Sequence, residues 1–204
     1  MIYGEAIRYD EMEEAGIEPD FDKLAADAYA AMNAYGPDGR TYEEATIERV
    51  NGMKEEYGNG VSTLIMFYNA TGSTLKFDEI TSESGHLFKY EPDRTVYNGQ
   101  WSCFLHVKTS GAATGSFGRL GYWLQGGVDR KTAWLTIDWE TPWSGRNKAS
   151  ASIMDSSLLG GGSIVEIMNN IRNMQARNPF GTSVSVSQNS SPILRVVAAR
   201  KNLL

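Results

Sequence analysis

The sequence predicts a mainly β protein, an antiparallel β-sandwich flanked by two helices and preceded by an extra N-terminal helix. Three observations lead there. Helical spacing of apolar residues is confined to the first 57 residues and one later stretch. From Val61 onward, short runs of β-branched and aromatic residues recur between Gly-rich turns. A chain of 204 residues, 41% hydrophobic and 22% charged, is an ordinary globular composition and long enough to enclose a core.

Residues Met1 to Pro19 carry Glu11, Glu13 and Glu14 with little hydrophobic period and read as a mobile arm. Phe21, Leu24, Ala25, Ala28, Met32 and Tyr35 then fall at helical spacing, with Asp20 or Asp22 as N-cap and Gly36-Pro37-Asp38-Gly39 as a stop. Thr41-Tyr42-Glu43-Glu44 reads as a capping box. It opens a second helix whose apolar stripe is Ile47, Val50, Met53 and Tyr57, ending at Gly58. Strands are predicted at Val61 to Tyr68, Thr74 to Ile80, Gln100 to Lys108, Ser116 to Leu124, Thr132 to Trp139 and Ala149 to Ser156, with Gly126-Gly127 as a turn. Ser163-Ile164-Val165-Glu166 is a second capping box, starting a helix to Arg177, and a last strand, Pro192 to Ala199, follows a polar stretch from Thr182 to Ser191. The domain division is therefore 1–39, an acidic arm and helix, and 40–204, the sandwich.

Charge divides the chain in the same direction. Met1 to Tyr57 holds fifteen acids and five bases, whereas the remainder holds ten acids and fourteen bases, within a net charge of -6. An acidic front can attract a basic body, and the body alone would favour anionic surfaces such as lipid head groups. Nucleic acid is not an expected partner. No apolar run approaches the roughly 18 residues of a membrane span, and the start Met1-Ile2-Tyr3-Gly4-Glu5 lacks the regions of a secretory signal, so the expected address is cytoplasmic. One cysteine, Cys103, and two histidines, His86 and His106, exclude an internal disulfide, a cysteine-rich zinc site and a three-histidine centre, so neither metal nor cofactor is expected.

Catalytic patterns are weak. His106 has no Gly-x-Ser-x-Gly elbow with it, and strand alternation turns Cys103 to the opposite face, so His106 reads as a hydrogen-bonded structural residue. The glycine segment from Ser110 to Gly118 lacks the Gly-Lys-Ser/Thr ending of a phosphate loop and feeds a strand. Asp138 and Glu140 read as half-exposed strand positions rather than an acid-base pair. The stronger signal is the turn Trp139-Glu140-Thr141-Pro142-Trp143-Ser144-Gly145-Arg146-Asn147-Lys148, where two indoles flank a proline beside two cations. Asp138, Trp139, Trp143, Arg146, Asn147 and Lys148 are accordingly the candidate ligand-binding residues: rings for a lipid interface or a sugar face, with charges and an amide to orient the ligand. The alternative is that Trp139 plugs the open end of the sandwich and Trp143 covers it.

The motifs Tyr68-Asn69-Ala70-Thr71-Gly72, Asn98-Gly99-Gln100-Trp101, Phe104-Leu105-His106-Val107 and Gly111-Ala112-Ala113-Thr114-Gly115-Ser116 occur in that order. Together they resemble the jasmonate-induced stress proteins of plants. More distantly, Ala113 to Leu124 and the strand to Trp139 resemble the actinoporins, and Asp138-Trp139 with Pro142-Trp143-Ser144 is similar to a motif of the aegerolysins. The resemblance implies an actinoporin-like sandwich in a stress or defence protein that binds a membrane lipid or cell surface. In actinoporins an aromatic surface binds a phosphocholine head group, after which an amphipathic helix enters the bilayer and copies can assemble there. The matching elements here are Trp139 to Trp143 and the helix Thr41 to Tyr57. Two departures stand against pore formation: Arg146 and Lys148 replace the family's tyrosine cluster, and the helix carries Glu43, Glu44, Glu48, Arg49, Lys54, Glu55 and Glu56. A lectin-like, carbohydrate-binding module and an enzyme on the same scaffold remain the alternative readings.

Overall fold

The computed structural model describes residues 2–125, 133–155 and 179–204. Two sheets face each other. The first has the order β1 (Ile2–Tyr3), β6 (Gln100–Val107), β2 (Ser62–Ala70), β11 (Ile193–Arg200) and β10 (Phe180–Val186), with β4 (His86–Leu87) also pairing on β6. The second has the order β5 (Thr95–Val96), β3 (Thr74–Ser84), β7 (Ser116–Gln125), β8 (Ala133–Thr141) and β9 (Lys148–Asp155). Among the described residues all ladders are antiparallel except one: β11 runs parallel to β2, with Leu194 opposite Ile65 and Val196 opposite Phe67. A strand arriving from the far end of the chain has no hairpin to fix its direction, which is why a wholly antiparallel sandwich was the expectation.

Helices α2 (Phe21–Ala31) and α3 (Tyr42–Tyr57) pack on the outer face of the first sheet. Two cores result. Between the sheets lie Ile65, Phe67, Phe104, Leu120, Tyr122, Leu135, Ile137, Leu194 and Val196, while Leu64, Met66, Tyr68, Trp101, Leu105 and Val197 meet Val50 and Met53 of α3 on the other side. This arrangement explains why β2 reads as a continuous apolar run: both of its faces are covered. The capping box of α3 forms as predicted, with Thr41 Oγ1 accepting from Glu44 N–H and Glu44 Oε2 accepting from Thr41 N–H. The helix predicted from Ser163 to Arg177 and the Gly126-Gly127 turn lie outside the described residues.

The start of the chain differs from expectation. Rather than a mobile arm, Ile2 and Tyr3 pair with Ser102 and Trp101, Ile7 N–H donates to Asn98 O, and a short helix α1 (Tyr9–Glu14) follows. The cause is an unpaired edge on β6 that backbone amides can complete. Helix α2 is fastened by polar side chains of the sheet: Tyr68 Oη donates to Ala28 O at 2.6 Å, Asn98 Nδ2 to Leu24 O at 2.8 Å and Trp101 Nε1 to Met32 O at 3.2 Å. Gly72 completes the fastening. It sits at φ +83°, and a Cβ there would stand 2.2 Å from Phe21 O.

Candidate functional site

Strand alternation decides where the tryptophans go. In β8, Leu135, Ile137 and Trp139 share the inward side, whereas Asp138 and Glu140 point out. Trp139 is therefore 3% exposed, its ring centroid 5.1 Å from that of His106 and 5.9 Å from that of Phe104 in edge-to-face contacts, lying over Gly118, where a Cβ would meet the indole at 2.6 Å. The expectation that Trp139 shares an exposed tip with Trp143 is thus corrected. Trp143, beyond the strand end, is 57% exposed.

The turn between β8 and β9 is clamped to the loop between β10 and β11. Asn147 Nδ2 donates to Ser187 O at 2.9 Å and Asn189 O at 2.8 Å, and Asn147 N–H donates to Gln188 Oε1 at 3.0 Å. The buried Asn147 amide thereby spends both donors on backbone carbonyls, so it shapes the site and has no N–H left for a ligand. Between the two loops lies an open cleft of about 760 Å³, lined by Pro142, Trp143, Arg146, Gln188, Asn189 and Ser190. Arg146 is exposed and has no ion-pair partner among the described residues. Lys108, at the end of β6, stands 5.5 Å from the Trp143 ring, held by Ala112 O at 2.7 Å. A projecting indole with two cations beside a polar cleft can receive an amphiphilic or hydroxylated ligand carrying negative charge.

The six predicted residues divide between two places. Trp143, Arg146 and Asn147 line this cleft, whereas Asp138, Trp139 and Lys148 line a second, of about 510 Å³, across β7, β8 and β9 of the second sheet. Asp138 there accepts from Arg119 Nε at 2.6 Å, and Lys148 Nζ lies 3.0 Å from Glu140, so each charge is answered by its cross-strand neighbour. His106 is interior, as its strand pattern suggested, with Nδ1 2.8 Å from Ser116 Oγ and Nε2 2.9 Å from Ser82 Oγ. Burial, and secondarily the charge of His86, lowers its pKa to about 4, which keeps the ring neutral. Cys103 occupies the opposite face of β6, and burial pushes its thiol up to about 11.

A family model described as Nakanori-like protein matches residues 19–158. The chain belongs to the Nakanori-like protein family. It is 34% identical over 139 residues to the 23 kDa jasmonate-induced protein of Hordeum vulgare, a match covering 68% of this chain and 64% of the barley protein. The chain thus spans under two thirds of that relative's length. Among solved structures, the lipid-binding protein Nakanori superposes with a TM-score of 0.74 at 24% identity, covering 98% of this chain and 100% of the other, which establishes the shared fold. The RahU protein in complex with a TRIS molecule gives a TM-score of 0.45 at 11% identity over 69% of this chain and 95% of the other.

Within the Nakanori-like match, the residues that carry the resemblance to jasmonate-induced proteins prove to be fold-holding. Asn69 Oδ1 accepts from Thr71 N–H and Oγ1–H, Asn69 Nδ2 donates to Ser73 O and Val96 O, and Asn98 Oδ1 accepts from Gly72 N–H. They close the turn on which α2 rests. Sequence reasoning missed Lys108, Gln188, Asn189 and Ser190, because nothing in their spacing ties them to Trp143. It also missed Trp123 and Trp134, cross-strand neighbours on the outer face of the second sheet whose rings stack at 5.7 Å. Their shared outward register became readable only once β7 was paired with β8.

Proposed function

We propose that this Nakanori-like protein is a stress-associated lipid-binding protein that docks on membrane lipid head groups through the Trp143 tip, with α3 staying on its own sheet. The observation that carries the reading is the 57% exposed indole of Trp143, with Lys108 beside its ring and Arg146, exposed and without an ion-pair partner among the described residues, lining the same cleft. An indole settles at a lipid–water interface, and cations beside it favour phosphate-bearing head groups. The description of Nakanori as a lipid-binding protein and of the barley relative as jasmonate-induced supports the same assignment.

Helix α3 supports binding without perforation. Its apolar positions Val50 and Met53 are spent on the first sheet, and Glu43 is bound to Arg195 at 2.5 and 3.1 Å. Insertion would release those contacts and carry Glu44, Glu48, Arg49, Lys54, Glu55 and Glu56 toward the bilayer, at about 2.5 to 3.5 kcal/mol for each charge near its centre. A second reading has its own observation: Gln188, Asn189 and Ser190 face Trp143 across the cleft, a combination of ring and hydrogen-bonding groups suited to a sugar. The protein is read as a binder rather than an enzyme, since Asp138 and Glu140 are ion-paired and His106 is interior and neutral.

Vesicle flotation with the purified chain tests the proposal. Binding to vesicles that contain anionic phospholipid should fall about tenfold or more in Trp143→Ala, as for a central aromatic anchor. Arg146→Ala and Lys108→Ala should fall less, by a factor that shrinks with added salt. No dye should leak from the vesicles. Unchanged vesicle binding in Trp143→Ala, or binding to no vesicle at all, would refute the lipid reading. Trp143-dependent retention on a glycan array would then establish the second.

A further inference from the structure

At the end of the sandwich remote from Trp143, β11 closes with a charged residue in an apolar setting. The β10–β11 ladder runs from Val186 opposite Leu194, beside the cleft loop, to Phe180 opposite Arg200 at the far end. Arg200 is 2% exposed, and its guanidinium carbon stands 4.4 Å from the centroid of the Phe180 ring. Stacking leaves the edges of the guanidinium, where the N–H groups lie, to be satisfied by something else. Nε lies 3.1 Å from Asp22 Oδ1, an ion-pair distance without hydrogen-bond alignment, and Asp22 itself is 74% exposed. Among the described residues neither Nη1 nor Nη2 has a hydrogen-bond partner. Buried arginines are ordinarily paired, because an unmatched buried charge opposes folding. An arginine held rigidly in place by a ring, with both terminal nitrogens unsatisfied, has the donor geometry that a bidentate oxyanion fits.

From the unpartnered fork of Arg200 we infer a second binding site, for a phosphate-type oxyanion, between the end of β11 and the first turn of α2. The anion accepts from Nη1 and Nη2, and Asp22, the exposed carboxylate on the Nε side, competes with it. Burial lowers the Arg200 pKa, and an anion would offset that effect. The site lies at the opposite end of the β10–β11 hairpin from the Trp143 cleft and does not depend on what that cleft binds.

Inorganic phosphate is the first probe, with the full chain and chloride at matched ionic strength as the reference. Wild type should show a saturable rise in Tm with phosphate, and isothermal titration should give one site per chain. Asp22→Asn, at an exposed position, should bind phosphate about threefold more tightly by removing a competing surface charge. Arg200→Met keeps a chain that can lie on Phe180 and should lose the phosphate-dependent rise. Vesicles of phosphatidylcholine with phosphatidic acid separate the sources of the anion. Loss of vesicle binding in Arg200→Met, with competition by free phosphate, assigns the site to a head group, whereas unchanged vesicle binding with retained phosphate binding in wild type assigns it to a free anion. No phosphate response in wild type, an equal response in Arg200→Met, or weaker binding in Asp22→Asn would overturn the inference. The Asp22→Asn and titration results stand even if Arg200→Met fails to fold.

Discussion

Lowering the pH should unlock the middle of the sandwich through one residue. His106 is fully buried between two serine hydroxyls and against the Trp139 ring, and its pKa falls from the ordinary 6.5 to about 4 because burial disfavours the charged ring. The unfolded chain therefore takes up the proton first as pH drops. The neutral ring's contribution is fully present above pH 6.5, declines below it and is exhausted near pH 4. With 1.36 kcal/mol per tenfold change, the gap between 6.5 and 4 amounts to about 3 kcal/mol, of which about 2.5 kcal/mol is lost between pH 7 and 4.5. Urea unfolding at those two pH values, in wild type and in His106→Gln, isolates the residue, since the carboxylates titrate alike in both. Wild type should lose about 2.5 kcal/mol more than the variant. Equal losses would refute the claim that a buried neutral imidazole governs acid stability.

The two tryptophans of the β8 turn should separate cleanly. Trp139→Ala opens a cavity beside Phe104 and His106 and should cost about 3 to 5 kcal/mol in thermal or urea unfolding, and a cost below 1 kcal/mol would contradict its placement in the core. Trp143→Ala should leave Tm within about 1 °C while reducing vesicle binding, because a largely exposed ring contributes little to folding. Gly72→Ala combines a left-handed backbone with a clash against Phe21 O and should cost about 2 kcal/mol or more, with faster amide exchange across α2 than across β8. Uniform exchange would show that the turn does not hold the helix.

How far the sequence reached depended on whether its signals were local. The Thr41 capping box, the continuous apolar run of β2 and the alternation of β8 each depend on neighbours within a few residues, and each was readable. β10 was not, because Phe180–Val186 is an edge strand alternating serine with small apolar residues and reads as polar loop. Even the tryptophan turn was half legible: the alternation that made β8 a strand also implied that Trp139 faces Ile137's side, yet its nearness to Trp143 in sequence suggested a shared tip.

The order of elements, the identity of the capping residues and the chemistry available at the β8 turn belong to the sequence alone, since hydrophobic period and local hydrogen bonding set them. Pairing decided the rest. Only the tertiary structure brings β11 beside β2, carries Gln188 and Asn189 to Trp143, gives Asp138 and Lys148 cross-strand partners and leaves the Arg200 fork unmatched among the described residues. Such pairings are fixed by which sheet face each strand can bury, and a linear pattern does not record that.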